Sequence, residues 1–290
     1  MKTVSEKELF EEMPVPKAVA ALAVPTIISQ IVSMIYNLAD TFFIGQLGDP
    51  YMVAAITLVY PWFSLLTALG NLFGIGGSSL VSRFLGLHRE SDARRVSSFC
   101  FYGGIAATLA FSLLSFAFMK PILLFLGASA ENYGYASSYF LWIVVIGGVP
   151  TMTTLTMAHL LRGEGHARLA SAGMMAGGFL NMALDPLLIF GAGMDVSGAA
   201  IATAFSNLAS MIFFACVFHK IRKNSALSLN PALFTVRYTG PVLSVGLAAA
   251  MAITLANLSA MTIVKLSSGY GDVAVAAYGI VKKIDHFRSA

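Results

Sequence analysis

In 290 residues, 57% are hydrophobic and 11% are charged, and the mean hydropathy is +0.78. A soluble domain carries about a quarter charged residues, so this chain has too few charges to build a water-facing surface and its solvent is lipid. The net charge of +4 calls for no nucleic-acid partner, and Cys100 and Cys216 both lie in apolar runs, which excludes a disulfide framework or a cysteine metal site.

The leading residues do not form a signal peptide. Glu6, Glu8, Glu11 and Glu12 carry the wrong charge for one, and no short apolar stretch with a small-residue cleavage site follows. Residues 1–17 are therefore expected to be a cytoplasmic leader to a span that is kept. Crossing a bilayer as a helix takes about 20 apolar residues. Such runs occupy 18–44, 52–80, 96–118, 135–160, 169–190, 197–218 and 239–264, and an eighth begins near 273. The runs are too long and too weakly alternating for barrel strands. The expected fold class is an all-α polytopic membrane protein.

Orientation follows from Lys and Arg. Thirteen of them fall in the leader and after the second, fourth and sixth spans, against two, Lys120 and Lys265, in the alternate loops. Lys282, Lys283 and Arg288 are left unassigned. Positive loops stay inside, which predicts a cytoplasmic N-terminus in a multi-pass plasma-membrane protein.

The longest polar connection, 219–238, separates residues 18–218, a six-helix lobe, from residues 239–290, the start of a second lobe. It reads as an open inter-lobe linker and the first target of a protease. Beyond it the sequence begins again. Val24-Pro25 is echoed by Gly240-Pro241, and Gly48-Asp49 with Val53-Ala54-Ala55 by Gly271-Asp272 with Val275-Ala276-Ala277. An even number of spans separates the copies, so the repeat is parallel, as in transporters whose substrate sites lie between repeats.

Nearly all the acids lie in loops or tails, but Asp40 and Asp185 lie inside spans, at nearly equal depth. Asn181 precedes Asp185 by one turn, Tyr36 and Asn37 precede Asp40, and Thr203 reaches a similar depth on the sixth span. Two carboxylates, an amide and a hydroxyl suit a hard cation such as Na⁺, or a carried proton. The alternative is that both acids sit hydrated at the interface. Pro25 and Pro186 share the two acid-bearing spans and predict bends. The glycines of Gly70-x-x-x-Gly74, Gly76-Gly77, Gly103-Gly104 and Gly173-x-x-x-Gly177-Gly178 predict close helix packing. His159 and His166 read as surface residues. No Walker A, zinc-protease, dinucleotide or nucleophile-elbow motif is present, so the chain is expected to be neither an ATP-driven pump nor an enzyme, and to need no cofactor.

Several stretches together resemble the multidrug and toxic compound extrusion transporters, in particular their prokaryotic branch. They are Val24-Pro25 through Asp40-Thr41, Gly45-Gln46-Leu47-Gly48-Asp49, Leu161 through Leu169, and Asn181-Met182-Ala183-Leu184-Asp185-Pro186 leading to Gly198 through Thr203. The resemblance implies a twelve-helix fold of two lobes around a cleft. It also implies export of small organic, often cationic, compounds in antiport with Na⁺ or H⁺ by a protein that is monomeric at full length. It places the cation or proton site at Asp40, Asn181, Asp185 and Thr203, with Tyr36, Asn37 and Tyr139 lining an adjoining cavity. The chain stops as the eighth span begins, and is expected to be a fragment, a truncated gene or a frameshift product. Two other readings are a lipid-linked precursor flippase or polysaccharide exporter, whose cleft calls for more basic residues, and a seven-helix receptor or sensor. A retinal-binding sensor calls for a deep lysine that 239–264 lacks.

Overall fold

A computed structural model describes residues 13–289, with side chains through Lys282. Most of the acidic leader and the side chains of Lys283, His286 and Arg288 lie outside the described residues. The helices in chain order are α1 (Val15–Gly45), α2 (Pro50–Gly86), α3 (Glu90–Ala117), α4 (Met119–Leu126), α5 (Tyr133–Phe140), α6 (Gly148–Gly163), α7 (Ala167–Pro186), α8 (Asp195–Ile221), α9 (Thr239–Ser268) and α10 (Asp272–Ser289). Among the described residues six helices are individually long and apolar enough to cross a membrane, and α5 and α6 make a seventh span if the bent pair is counted as one.

The fourth span is not one helix, as the apolar run suggests. A π-helical stretch, Leu141–Ile146, follows α5, and the path bends by 47° before α6. Gly147-Gly148-Val149-Pro150 marks the break, because two glycines and a proline weaken the same turn. Pro186 has a related effect. It ends α7, and the chain continues to Gly191 as a second π-helical segment. The short α4 has no counterpart in the sequence reading; it lies between the third and fourth spans and ends at Gly127, which takes φ +105°.

α2 is the central post. Its 37 residues reach about 55 Å, well beyond a hydrocarbon core of about 30 Å. It packs most extensively against α9, then α6 and α3, whereas α1 leans chiefly on α7. The α2–α9 crossing is close because both helices are bare at the contact. A Cβ on Gly76 would strike the Val242 carbonyl oxygen, and one on Gly246 would strike that of Leu72. Both copies of the repeated turn have the same backbone form, with Gly48 at φ +73° and Gly271 at φ +95°. Their aspartates differ in use. Asp49 caps its own helix by accepting from Tyr51 N at 2.8 Å. Asp272 reaches to the α4–α5 loop instead, where Ser129 Oγ donates to it at 2.8 Å and Asn132 Nδ2 donates to its other oxygen.

The connection after α8 is not an open strand. Lys220, Arg222 and Lys223 are exposed, but Ser225, Ala226 and Leu227 are buried. Glu164, wholly buried in the α6–α7 loop, accepts from Ser225 Oγ at 2.7 Å and from the Ala226 amide. Further along, Ser97 and Ser98 of α3 donate to the Ser228 and Asn230 carbonyls at 3.1 and 2.8 Å, and Tyr102 to that of Leu229 at 2.8 Å. Tyr238 then donates to Asp92. Polarity and length alone mark this segment as the first to be cut. Docked backbone is a poor protease substrate, which restricts the accessible part to 220–224.

Candidate functional site

α7 supplies Asn181 and Asp185 one turn apart on the same face. Asn181 Nδ2 donates to Asp185 Oδ1 at 3.2 Å and to Thr203 Oγ1 of α8 at 3.3 Å, so three of the four expected ligands form one connected group. Asp185 is wholly buried, Asn181 is 2% exposed and Asp40 7%. The structure therefore places both acids inside the bundle, where the hydrated-interface reading does not put them.

Both carboxylates lie within electrostatic reach of the Tyr36 and Tyr139 hydroxyls. Tyr36 is held where it is by a missing side chain. A Cβ on Gly178 would sit 3.0 Å from Tyr36 Cδ1 and 3.2 Å from Val32, so α1 can lie close on α7 only because this position is glycine. Thr203 and Asn181 line a cavity of about 20 Å³ with Tyr36, Ser206 and Asn207, space for one water or one ion. Two oxygens here, Asn181 Oδ1 and Ser206 Oγ, are buried without a hydrogen-bond partner. A buried orphan acceptor costs about 1–3 kcal/mol, which a cation would offset. Among the described residues no three His, Cys, Asp or Glu side chains gather as a metal site. The donor set is mixed oxygen, which fits a hard monovalent cation or a proton better than a transition metal.

A second cavity, about 320 Å³, opens on another face of α1. Its walls come from α1 and α2 on one side and from α9 and α10 on the other, and they include Asn37, Tyr60, Tyr278 and Lys282. α1 is thus a partition, with Tyr36 facing the small pocket and Asn37 the large one. Tyr139 lines neither. It is 5% exposed and packs in the apolar core with Phe140 and Ile143.

Sequence reasoning missed several residues. Ser206 belongs to the pocket and follows Thr203 by one turn, a spacing that could have found it. Lys282 went unassigned because its span was read only at its start. His159 is not a surface residue. Its Nε2 pairs with Asn71 Oδ1 at 3.0 Å, and its ring fills the space over Gly74.

A six-helix lobe followed by a second lobe that restarts with the same turn defines a polytopic helical membrane protein. The chain belongs to the MatE family, which it matches over residues 25–187. It is 34% identical over 278 residues to the multidrug export protein MepA of Staphylococcus aureus, covering 96% of this chain and 61% of that protein. Among solved structures, the MATE multidrug transporter DinF-BH matches with a TM-score of 0.85 at 30% identity, over 99% of this chain and 64% of that one. An inward-facing multidrug resistance MATE transporter of the MOP superfamily shares the fold, with a TM-score of 0.80 at 24% identity, over 93% of this chain and 61% of that one. The chain thus spans less than two thirds of the length of these relatives.

Proposed function

We propose that this chain supplies the first lobe, and the opening helices of the second, of an antiporter that exports small organic compounds against Na⁺ or H⁺. The Lys- and Arg-rich end is cytoplasmic, by the positive-inside rule, in a plasma membrane. The coupling cation is held by Asp185, Asn181 and Thr203, with Asp40 completing the charge. The carrying observation is the buried Asp185–Asn181–Thr203 group with an orphaned amide oxygen, separated by one helix from a cavity large enough for an organic molecule.

Buried like charges repel, and a bound Na⁺ or proton relieves that repulsion. Binding on the α7 side of α1 therefore stabilises one position of α1. The organic compound, on the other side, stabilises another. Exchange follows when the two ligands prefer opposite states, and α1 with Pro25 is the element both can bias. The kinship with a multidrug export protein supports this direction of transport.

The test uses the purified chain in detergent. Raising Na⁺ at fixed pH, or lowering pH without Na⁺, should change Trp and Tyr fluorescence in the wild type and not in Asp185→Asn. A wild type insensitive to both, or an Asp185→Asn variant that responds like wild type, would falsify the assignment.

A further inference from the structure

The two lobes meet towards both ends of the bundle, but by different means. Towards the Lys- and Arg-rich end they touch through bare backbone, where Gly76 of α2 faces Val242 and Gly246 of α9 faces Leu72. At the opposite end they meet through a polar key. The α4–α5 loop of the first lobe offers two donors to one carboxylate of the second. Ser129 Oγ donates to Asp272 Oδ2 at 2.8 Å, and Asn132 Nδ2 donates to Oδ1. Two further contacts flank this key. Lys265 Nζ of α9 donates to the Leu124 carbonyl at 3.2 Å, and Ser268 packs so closely on Gly127 that a Cβ there would sit 2.3 Å from its Oγ.

Both donors are aimed by the loop itself. Asn132, wholly buried, accepts from the Ser129 amide at 3.1 Å through Oδ1, which turns its Nδ2 towards the second lobe. The Asn132 amide donates to Ser129 Oγ at 3.1 Å, which leaves the hydroxyl proton for Asp272. The loop is thus a preformed receptor for a carboxylate, with one donor for each oxygen. The matching aspartate in the first copy of the turn is used otherwise. Asp49 accepts from Tyr51 N inside its own helix.

We infer that Asp272 is a latch, a positioning residue that holds the lobes together at the end opposite the Lys- and Arg-rich loops, and that its release lets them part there. The inference rests on the antiporter reading only for naming that end the outer one, and for the larger cavity, lined by Val264 next to Lys265, as what parting exposes. A carboxylate and two donors near the surface can each exchange a protein partner for water, so the net cost of separating them is small. Backbone packed on backbone at Gly76 and Gly246 has no such replacement, and polar contacts between domains are the ones that move. Release does not strand the charge either. Asp272 is only half-buried, and the local cap that Asp49 makes is open to it.

The experiment is a distance measurement by pulsed electron paramagnetic resonance on the whole chain in a neutral maltoside detergent. Spin labels go on Glu131→Cys and Tyr270→Cys, exposed positions in the two turns that flank the key, with Cys100→Ala and Cys216→Ser removing the native thiols. With Asp272 in place the labels should report mainly one short distance. Asp272→Ala should add a longer, broader component and raise the ratio of parted to closed molecules about tenfold, the loss of a charge-assisted pair. Asp272→Asn keeps the shape and accepts from only one of the two donors, so its ratio should fall between, and it serves if the alanine variant does not fold. Asp49→Ala, in the matching turn, should leave the distance alone. An unchanged distribution in a folded Asp272→Asn or Asp272→Ala protein overturns the inference, as does an equal change in Asp49→Ala. No cation is involved, so the two readings fail separately. An Asp272-dependent distance in a protein that ignores Na⁺ and pH keeps the latch while the antiporter reading falls. A normal cation response with distances indifferent to Asp272 removes the latch alone.

Discussion

The two cavities beside α1 are built on different rules. The smaller, about 20 Å³, lies within one lobe, and its polar wall residues are tied to one another and to groups behind them, Asn181 to Thr203 and Asp185, and Asn207 Nδ2 to Thr151 Oγ1 at 2.9 Å. The larger, about 320 Å³, lies between lobes, and part of its wall, including Gln30 and Tyr60, is exposed. A cation is told from its competitors by the number and placement of oxygens, which requires partners that hold each other still. An organic molecule is held mainly by area, which tolerates mobile walls. On the proposed antiporter reading, the ligand that must be selected sharply takes the rigid site, and the one that varies takes the adaptable site.

The largest expected effect comes from removing charge beside the small pocket, where Asp185 accepts from the lining residue Asn181. Asp185→Asn should reduce Na⁺ affinity of the purified chain by about 100-fold, read from the fluorescence titration, because a carboxylate contact becomes a neutral amide one. Asp40→Asn should act in the same direction. A loss confined to the larger cavity's ligand would reverse the assignment of the two sites.

Next is a steric change at the lobe crossing. Gly76→Val drives a side chain into the Val242 carbonyl and should destabilise the α2–α9 contact by about 3 kcal/mol, seen as a lower melting temperature. Binding of an organic compound in the larger cavity should fall with it, while the cation response survives. Loss of both responses in a still-folded protein would mean that the cavities are not independent in the way their walls suggest.

A smaller effect is expected at Thr203. Thr203→Ala removes one neutral oxygen, worth about 1 kcal/mol, or about fivefold in Na⁺ affinity. The response to pH in the absence of Na⁺ should remain, since no proton carrier has been lost. Equal weakening of both would assign Thr203 a structural role. The smallest effect belongs to Asn37, whose amide already donates to the Ser33 carbonyl of its own helix at 2.7 Å. Asn37→Ala should change either ligand's affinity by no more than about twofold, a shift near the usual surface range. A tenfold loss of cation affinity there would place Asn37 on the other side of the partition.

The spans, their approximate ends and the two misplaced acids were legible because lipid imposes simple rules on length and charge. Asn181 could be tied to Asp185 by helical spacing, Thr203 by its depth on the next span, and the close glycine contacts by their pattern. The break in the fourth span was written in Gly147-Gly148 and Pro150 but is easily hidden by an uninterrupted apolar run. Other features depend on distant partners and have no local signal. Glu164 looked like a loop acid until Ser225 and Ala226 came to meet it from 61 and 62 residues away. Lys282 gained meaning only when α10 was set against α1 and α2. Tyr139, expected beside the cation site, packs with Phe140 and Ile143 and lies within electrostatic reach of both acids.

Residues 222–238 have the length of a loose tether but little of its freedom. A disordered coil of that length would let its ends wander over about 20–25 Å. Here the anchors recur along the segment from Ser225 to Tyr238, and the last of them, to Asp92, lies one residue before α9. The slack left for the second lobe is therefore close to one peptide. With the chain pinned as far as Tyr238, α9 starts from a fixed point against α3, and Gly240-Pro241 lies in its first turn. A connection that looks like a leash works as a bracket.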